Sequence, residues 1–116
     1  MRYLIFADIH GNLEAFLAVL KFVQKKKIDH FIFLGDLVGY GASPNEIIQK
    51  IQNLKPISLI RGNHDKAVCG LDTIETFNPI AASAILWTKQ RVLKKNFTYL
   101  CRLKKGPIIL HETITV

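Results

Sequence analysis

Residues 31–41 read FIFLGDLVGYG, an unbroken apolar run followed by a glycine, a carboxylate and a loop punctuated by two further glycines. A short continuous apolar run bounded by turn residues reads as a strand buried on both faces, because a half-exposed strand would alternate apolar with polar. The arrangement recurs on either side. Tyr3 to Ala7 runs into Asp8-Ile9-His10-Gly11-Asn12, and Ile57 to Ile60 runs into Arg61-Gly62-Asn63-His64-Asp65. Between the first two runs, Leu13, Phe16, Leu17, Leu20 and Val23 repeat at helical spacing, which predicts a helix over Asn12 to Lys26. Asn12 serves as its N-cap, and Lys25 to Lys27 lie at its other end. Between the second and third runs, Pro44 to Leu54 carries Ile47, Ile48, Ile51 and Leu54 on one face, with Ser43 as cap and Pro44 at the first helical position. Strand, helix, strand, helix, strand implies right-handed crossovers in a parallel sheet, an α/β fold.

Beyond Asp65 the pattern changes. Pro79 to about Lys95 predicts a third long helix, with Ile80, Ala84, Ile85, Leu86, Trp87 and Val92 as apolar surface. Phe97 to Leu103 reads as a short helix. Gly106 and Pro107 break the chain, and Ile108 to Val116 reads as two short strands around a turn at His111 and Glu112. No repeat, linker or low-complexity stretch divides the sequence, so residues 1–116 are expected to form one unit.

Composition narrows the class. A chain of 116 residues that is 49% hydrophobic and 22% charged suits a globular domain and excludes disulfide scaffolds, collagens and disordered tails. The run Tyr3 to Ala7 is shorter than a signal-peptide core, and no stretch approaches the ~18 apolar residues of a membrane span, so the expected location is cytoplasmic. Cys69 and Cys101 lie far apart without CxxC spacing, and each is expected to be a reduced, buried thiol. The formal charge of +7 is local: Lys89, Arg91, Lys94, Lys95, Arg102, Lys104 and Lys105 face only Glu112 in the last 28 residues. Such a segment can meet nucleic acid or another polyanion, but it lacks the Gly-aromatic pattern of an RNA-binding sheet and reads first as a solvated face.

The chemistry gathers where the strands end, the edge at which open α/β sheets bind ligands. Asp8 and His10, two apart in extended chain, can turn an oxygen and a nitrogen to one side. Asp36 follows a glycine that lets the backbone turn sharply and leaves its carboxylate free to bridge two ions. Asn63 can ligate through its amide oxygen, with His64 beside it for a substrate oxygen. A single Asp or His at a strand end is usually a cap or turn former. Three such loops in order at one edge are different, because burying those groups without compensation is costly.

Asp8-x-His10, Gly35-Asp36 with Gly41, and Gly62-Asn63-His64-Asp65 together resemble the signature of the calcineurin-like metallophosphoesterases. The flanking residues Gly11 to Ala15 and Gly39 to Glu46 are similar to small prokaryotic members described as phosphoprotein phosphatases or diadenosine tetraphosphatases. The resemblance implies the N-terminal half of a four-layer α/β/β/α sandwich. It implies a hydrolase that cleaves phosphate mono- or diesters at a dinuclear centre. Asp8 and His10 would hold the first ion, Asp36 would bridge, and Asn63 would hold the second. His64 would stand at the phosphoryl group, Arg61 would reach a phosphate oxygen, and Asp65 would orient or cap. Mn, Fe, Zn, Ni and Co all suit such ligands. The histidine loop and the G-H-x-H segment that complete both sites in the family have no counterpart among these residues. His111 and His30 are read as a turn residue and a pre-strand residue. The unit is therefore expected to be incomplete at its C-terminal side. One alternative is a truncated domain that holds a single ion and catalyses little; another is a binding module that uses the basic segment. An unfinished second sheet also predicts self-association through exposed strand edges.

Overall fold

The computed structural model describes residues 1–116. Its first half is β1 (Tyr3–Phe6), α1 (Leu13–Val23), β2 (His30–Phe33), α2 (Pro44–Asn53) and β3 (Ile57–Leu59). The three strands form one parallel sheet in the order β1-β2-β3, with Phe6 beside Phe33 and Phe33 beside Leu59. The α/β reading of the sequence therefore holds.

Side chains alternate across a strand, so Phe6, Phe33, Ile57 and Leu59 share one face. There they meet Phe16 of α1 and Ile47, Ile48 and Ile51 of α2 in the core. Phe6 lies 5.9 Å from Phe16 and 5.1 Å from Phe33, ring to ring. The opposite face carries Tyr3, Ile5, His30, Ile32 and Ser58, and its cover is uneven: Ile32 is fully buried whereas Ile5 is 58% exposed. Burial on both faces, expected of all three strands, is thus met only at Ile32 and Phe33 of the central strand. β1 departs from it because Ile5 lies on the face away from the core cluster.

The Asn12 Oδ1 accepts from the Ala15 N–H at 3.0 Å and caps α1 as expected, although the helix ends at Val23, short of Lys26. Pro44 opens α2, but the Ser43 side chain makes no capping hydrogen bond. After β3 comes a helix the periodicity does not announce, α3 (Asn63–Val68), followed by α4 (Pro79–Arg91) and α5 (Lys94–Cys101). The single helix expected over 79–95 is broken at Val92 and Leu93, both in extended conformation. Asn45 of α2 stabilises the corner: its Nδ2 donates to the Arg91 carbonyl at 3.0 Å, and its Oδ1 accepts from the Leu93 N–H at 2.8 Å and from Asn96 Nδ2 at 2.9 Å. These bonds satisfy backbone and side-chain groups left without partners at the two helix ends.

The chain closes with a hairpin of β4 (Ile109–Leu110) and β5 (Ile114–Thr115), whose turn includes His111 and Glu112, as read from the sequence. Cys69, which caps α3, and Cys101, the last residue of α5, form a disulfide with Cα atoms 5.6 Å apart. This corrects the expectation of two reduced thiols. Sequence spacing could not show that α3 and α5 pack side by side. No helix is long and apolar enough to cross a membrane.

Candidate metal centre

The parallel ladder continues past the ends of the strands and laces the three loops together. The Asp8 N–H donates to the Gly35 carbonyl at 3.0 Å, the His10 N–H to Asp36 at 2.9 Å, and the Gly11 N–H to Leu37 at 2.8 Å. Asp65 ties in the third loop. Its carboxylate accepts from the backbone N–H groups of Asp36 at 2.8 Å, Gly62 at 2.9 Å and Val38 at 3.2 Å. The bond from Gly62 is the N-capping contact of α3. Asp65 is fully buried, and these three bonds make it a residue that orients the loops, the use the sequence suggested for it. Burial outweighs its three donors and pushes its carboxyl up to about 6.

Asp8, His10, Asp36 and Tyr40 all have φ between 49° and 63°. Such left-handed backbone is uncommon for residues other than glycine, and clusters of it occur at functional sites. It turns the Asp8, His10 and Asp36 side chains toward one another. The His10 Nδ1–H donates to the Val38 carbonyl at 3.0 Å. In the neutral ring Nε2 then carries a lone pair, which faces Asp8 Oδ1 at 3.2 Å and Asp36 Oδ2 at 3.8 Å. Two carboxylate oxygens and an imidazole nitrogen held this close offer a donor set for a cation.

His64 completes the group. Ligand atoms of His10, Asp36 and His64 all lie within 4.8 Å of one another, so these residues could hold a metal ion. The His64 backbone N–H donates to Asp36 Oδ1 at 2.9 Å, and its ring lies 4.6 Å from His10, 5.0 Å from Tyr40 and 5.1 Å from Phe77. Burial lowers its pKa, which the nearby Asp36 charge opposes, while burial of Asp36 raises that carboxyl against the His64 backbone donor and the neighbouring His64 and His10 rings. The His64 Nδ1 is enclosed without a partner, so the open nitrogen is Nε2. The Asn63 amide stands 3.0 and 3.3 Å from the two Asp36 oxygens. With its nitrogen on that side it donates to both; with its oxygen there, a cation must lie between. The donor set therefore fits a metal ion.

Asp8, His10, Asp36, Asn63 and His64 thus meet at one edge. Arg61 lies just outside, lining a polar cleft with Asn63. His111 is elsewhere, packed 5.9 Å from Tyr3 and 5.3 Å from His30 at the amino ends of the strands. Sequence reasoning did not single out Tyr40, Phe77 or the Val38 carbonyl. Tyr40, held between two glycines in an otherwise ligand-bearing loop, was the signal available. Gly62 is required because a Cβ there would strike the Asp36 carboxylate and backbone nitrogen.

A profile of the family described as calcineurin-like phosphoesterase matches residues 1–114. An uncharacterised protein of Methanocaldococcus jannaschii is 43% identical over 110 residues, covering 95% of this chain and 44% of that protein. A metallophosphoesterase from Sphaerobacter thermophilus superposes with a TM-score of 0.71 at 39% identity, over 89% of this chain and 41% of its own. A hypothetical protein of Pyrococcus horikoshii, at 22% identity and a TM-score of 0.71 over 86% of this chain and 46% of its own, shares the fold. The chain spans less than half the length of each of these relatives. With Asp, His and Asn side chains of three loops gathered at one sheet edge and the family match over nearly every residue, this chain belongs to the calcineurin-like phosphoesterase family.

Proposed function

We propose that this chain carries the first part of a dinuclear phosphoesterase centre that hydrolyses phosphate mono- or diesters. The observation that supports it is the convergence of His10, Asp36 and His64 beside Asp8, with Asp8, His10 and Asp36 all held in left-handed backbone. Asp8 and His10 would hold one ion, Asp36 would bridge, and Asn63 would turn its amide oxygen to the second. Two divalent ions in such a site supply Lewis-acid polarisation of the phosphoryl group and a nucleophile at neutral pH. Mn, Fe, Zn, Ni and Co remain equivalent by donor type.

His64 works from its open Nε2. With Nδ1 enclosed and the ring kept neutral by burial, the single ring proton belongs on Nε2, where it donates to a phosphoryl or leaving-group oxygen. The Arg61 guanidinium, beside Asn63, offers a fork of donors to a non-bridging oxygen. The Asp65 bonds to three loop N–H groups keep the bridge and the open edge in register. The second reading is a domain that binds one ion and turns over little substrate. It is favoured by Asp8, whose side chain is 67% exposed and so not enclosed by this chain alone.

Metal content by mass spectrometry after dialysis against Mn, together with hydrolysis of p-nitrophenyl phosphate and its bis ester, tests the assignment. Two ions per chain are expected, with activity lost in Asp36→Ala and His64→Ala and metal content falling in Asp36→Ala. One ion and little turnover would establish the second reading. Less than one ion and no turnover with any of the five metals would overturn both.

A further inference from the structure

Next to Asn63 lies a cleft of about 240 Å³ lined by Arg61, Gly62, Asn63, Lys66, Asp72 and Lys105, with no apolar residue among them. That volume falls below the ~300 Å³ at which pockets begin to take organic ligands, and no hydrophobic or aromatic side chain lines it. A small, strongly hydrated anion suits it. Three cations face it against one carboxylate, with Lys66 Nζ 3.6 Å from Asp72 Oδ2.

The third cation comes from far along the chain. Lys105 belongs to the basic segment whose purpose the sequence left open. It reaches the cleft because Ile60 pairs with Lys104 in a parallel bridge and the Arg61 N–H donates to the Lys104 carbonyl at 2.8 Å. Gly106 then turns the chain at φ 75°, where a Cβ would press on the Ile60 side chain at 3.2 Å. The polar lining is thus assembled from the loop after β3, from α3 and the loop that follows it, and from the segment after α5.

We propose that this cleft is a second oxyanion site, which takes a phosphoryl group linked to the one at the metal centre. The substrate class is then one with two or more joined phosphoryl groups. This rests on the phosphoesterase reading for the neighbouring centre, while the cleft itself needs no metal. It can therefore be tested in EDTA, apart from that reading. Calorimetric titration of the metal-free chain with pyrophosphate is expected to show one saturable site. Lys66→Met and Lys105→Met should each weaken binding about tenfold, the loss of one charge-assisted hydrogen bond. Asp72→Asn should strengthen it. Lys94→Met, the same charge change on exposed surface outside the cleft, should stay within twofold. Inorganic phosphate binding as tightly as pyrophosphate would make the cleft a free-phosphate site and overturn the substrate class. No saturable binding, or equal weakening in all three lysine variants, would overturn the site itself. If pyrophosphate binds as expected but the metal content fails, the phosphoesterase reading falls and the oxyanion site stands.

Discussion

Asp65 shows how one residue couples the three loops to solution conditions. Its carboxyl, ordinarily near 3.8, is pushed up to about 6 by burial. The folded chain therefore holds this proton more tightly than the unfolded chain. The stabilisation is fully present below the unfolded pKa and is lost as the pH rises through about 6, a change of about 3 kcal/mol for a shift of this order. Denaturant unfolding in EDTA at pH 4 and pH 7 should show the wild type losing about that much relative to Asp65→Asn, which cannot ionise. A difference independent of pH would mean that the three backbone donors, not burial, set its charge state. At this scale the polar residues that meet at the sheet edge were legible, because Asp, His and Asn beside glycines at strand ends have few structural uses. The role of His64 was less so: which of its nitrogens is enclosed depends on Gly39 and Phe77, and neither contact leaves a trace in local sequence.

Among the elements, the strands, the first two helices and the presence of helix in α4 and α5 followed from apolar runs and helical spacing, whereas α3 and the break between α4 and α5 did not. α3 is six residues long, too short for a periodic signal, and forms because Gly62 and Asp65 fix its first turn. The corner between α4 and α5 depends on Asn45, nearly fifty positions earlier, whose side chain replaces helical hydrogen bonds at Leu93 and Arg91. The disulfide is similarly non-local, tying the end of α3 to the end of α5 across a separation of 32 residues. A closed loop of this length stabilises by about 3–4 kcal/mol, chiefly by restricting the unfolded chain. Reduction with dithiothreitol, or Cys69→Ser with Cys101→Ser, should lower unfolding free energy by about that amount without loss of far-UV helicity. An unchanged midpoint in denaturant would show that helix packing alone holds α3 against α5.

For the whole molecule, the sheet has a free edge at β1, where Ile5 is 58% exposed, whereas β3 is shielded in part by the bridge from Ile60 to Lys104. An unpaired strand with an apolar side chain is a template for another strand. The chain on its own should associate at tens of micromolar concentration, as read by light scattering. Ile5→Lys should restore the monomer, and a monomeric wild type would count against pairing through β1. The sequence reading placed the open edge in a second sheet, whereas the exposed apolar residue lies on β1 of the first, because strand order is a tertiary fact.

The left-handed backbone at Asp8, His10, Asp36 and Tyr40 sets stability against the polar side chains gathered at the sheet edge. Each such residue costs roughly 1–2 kcal/mol where glycine would sit almost without strain. Glycine at any of these positions would relax the backbone, yet at Asp8, His10 or Asp36 it would also remove one of the donor atoms that converge there. Selection for thermal resistance and selection for chemistry therefore pull these loops in opposite directions. A stabilised variant of this domain is best sought in the helices, where the backbone carries no such conflict.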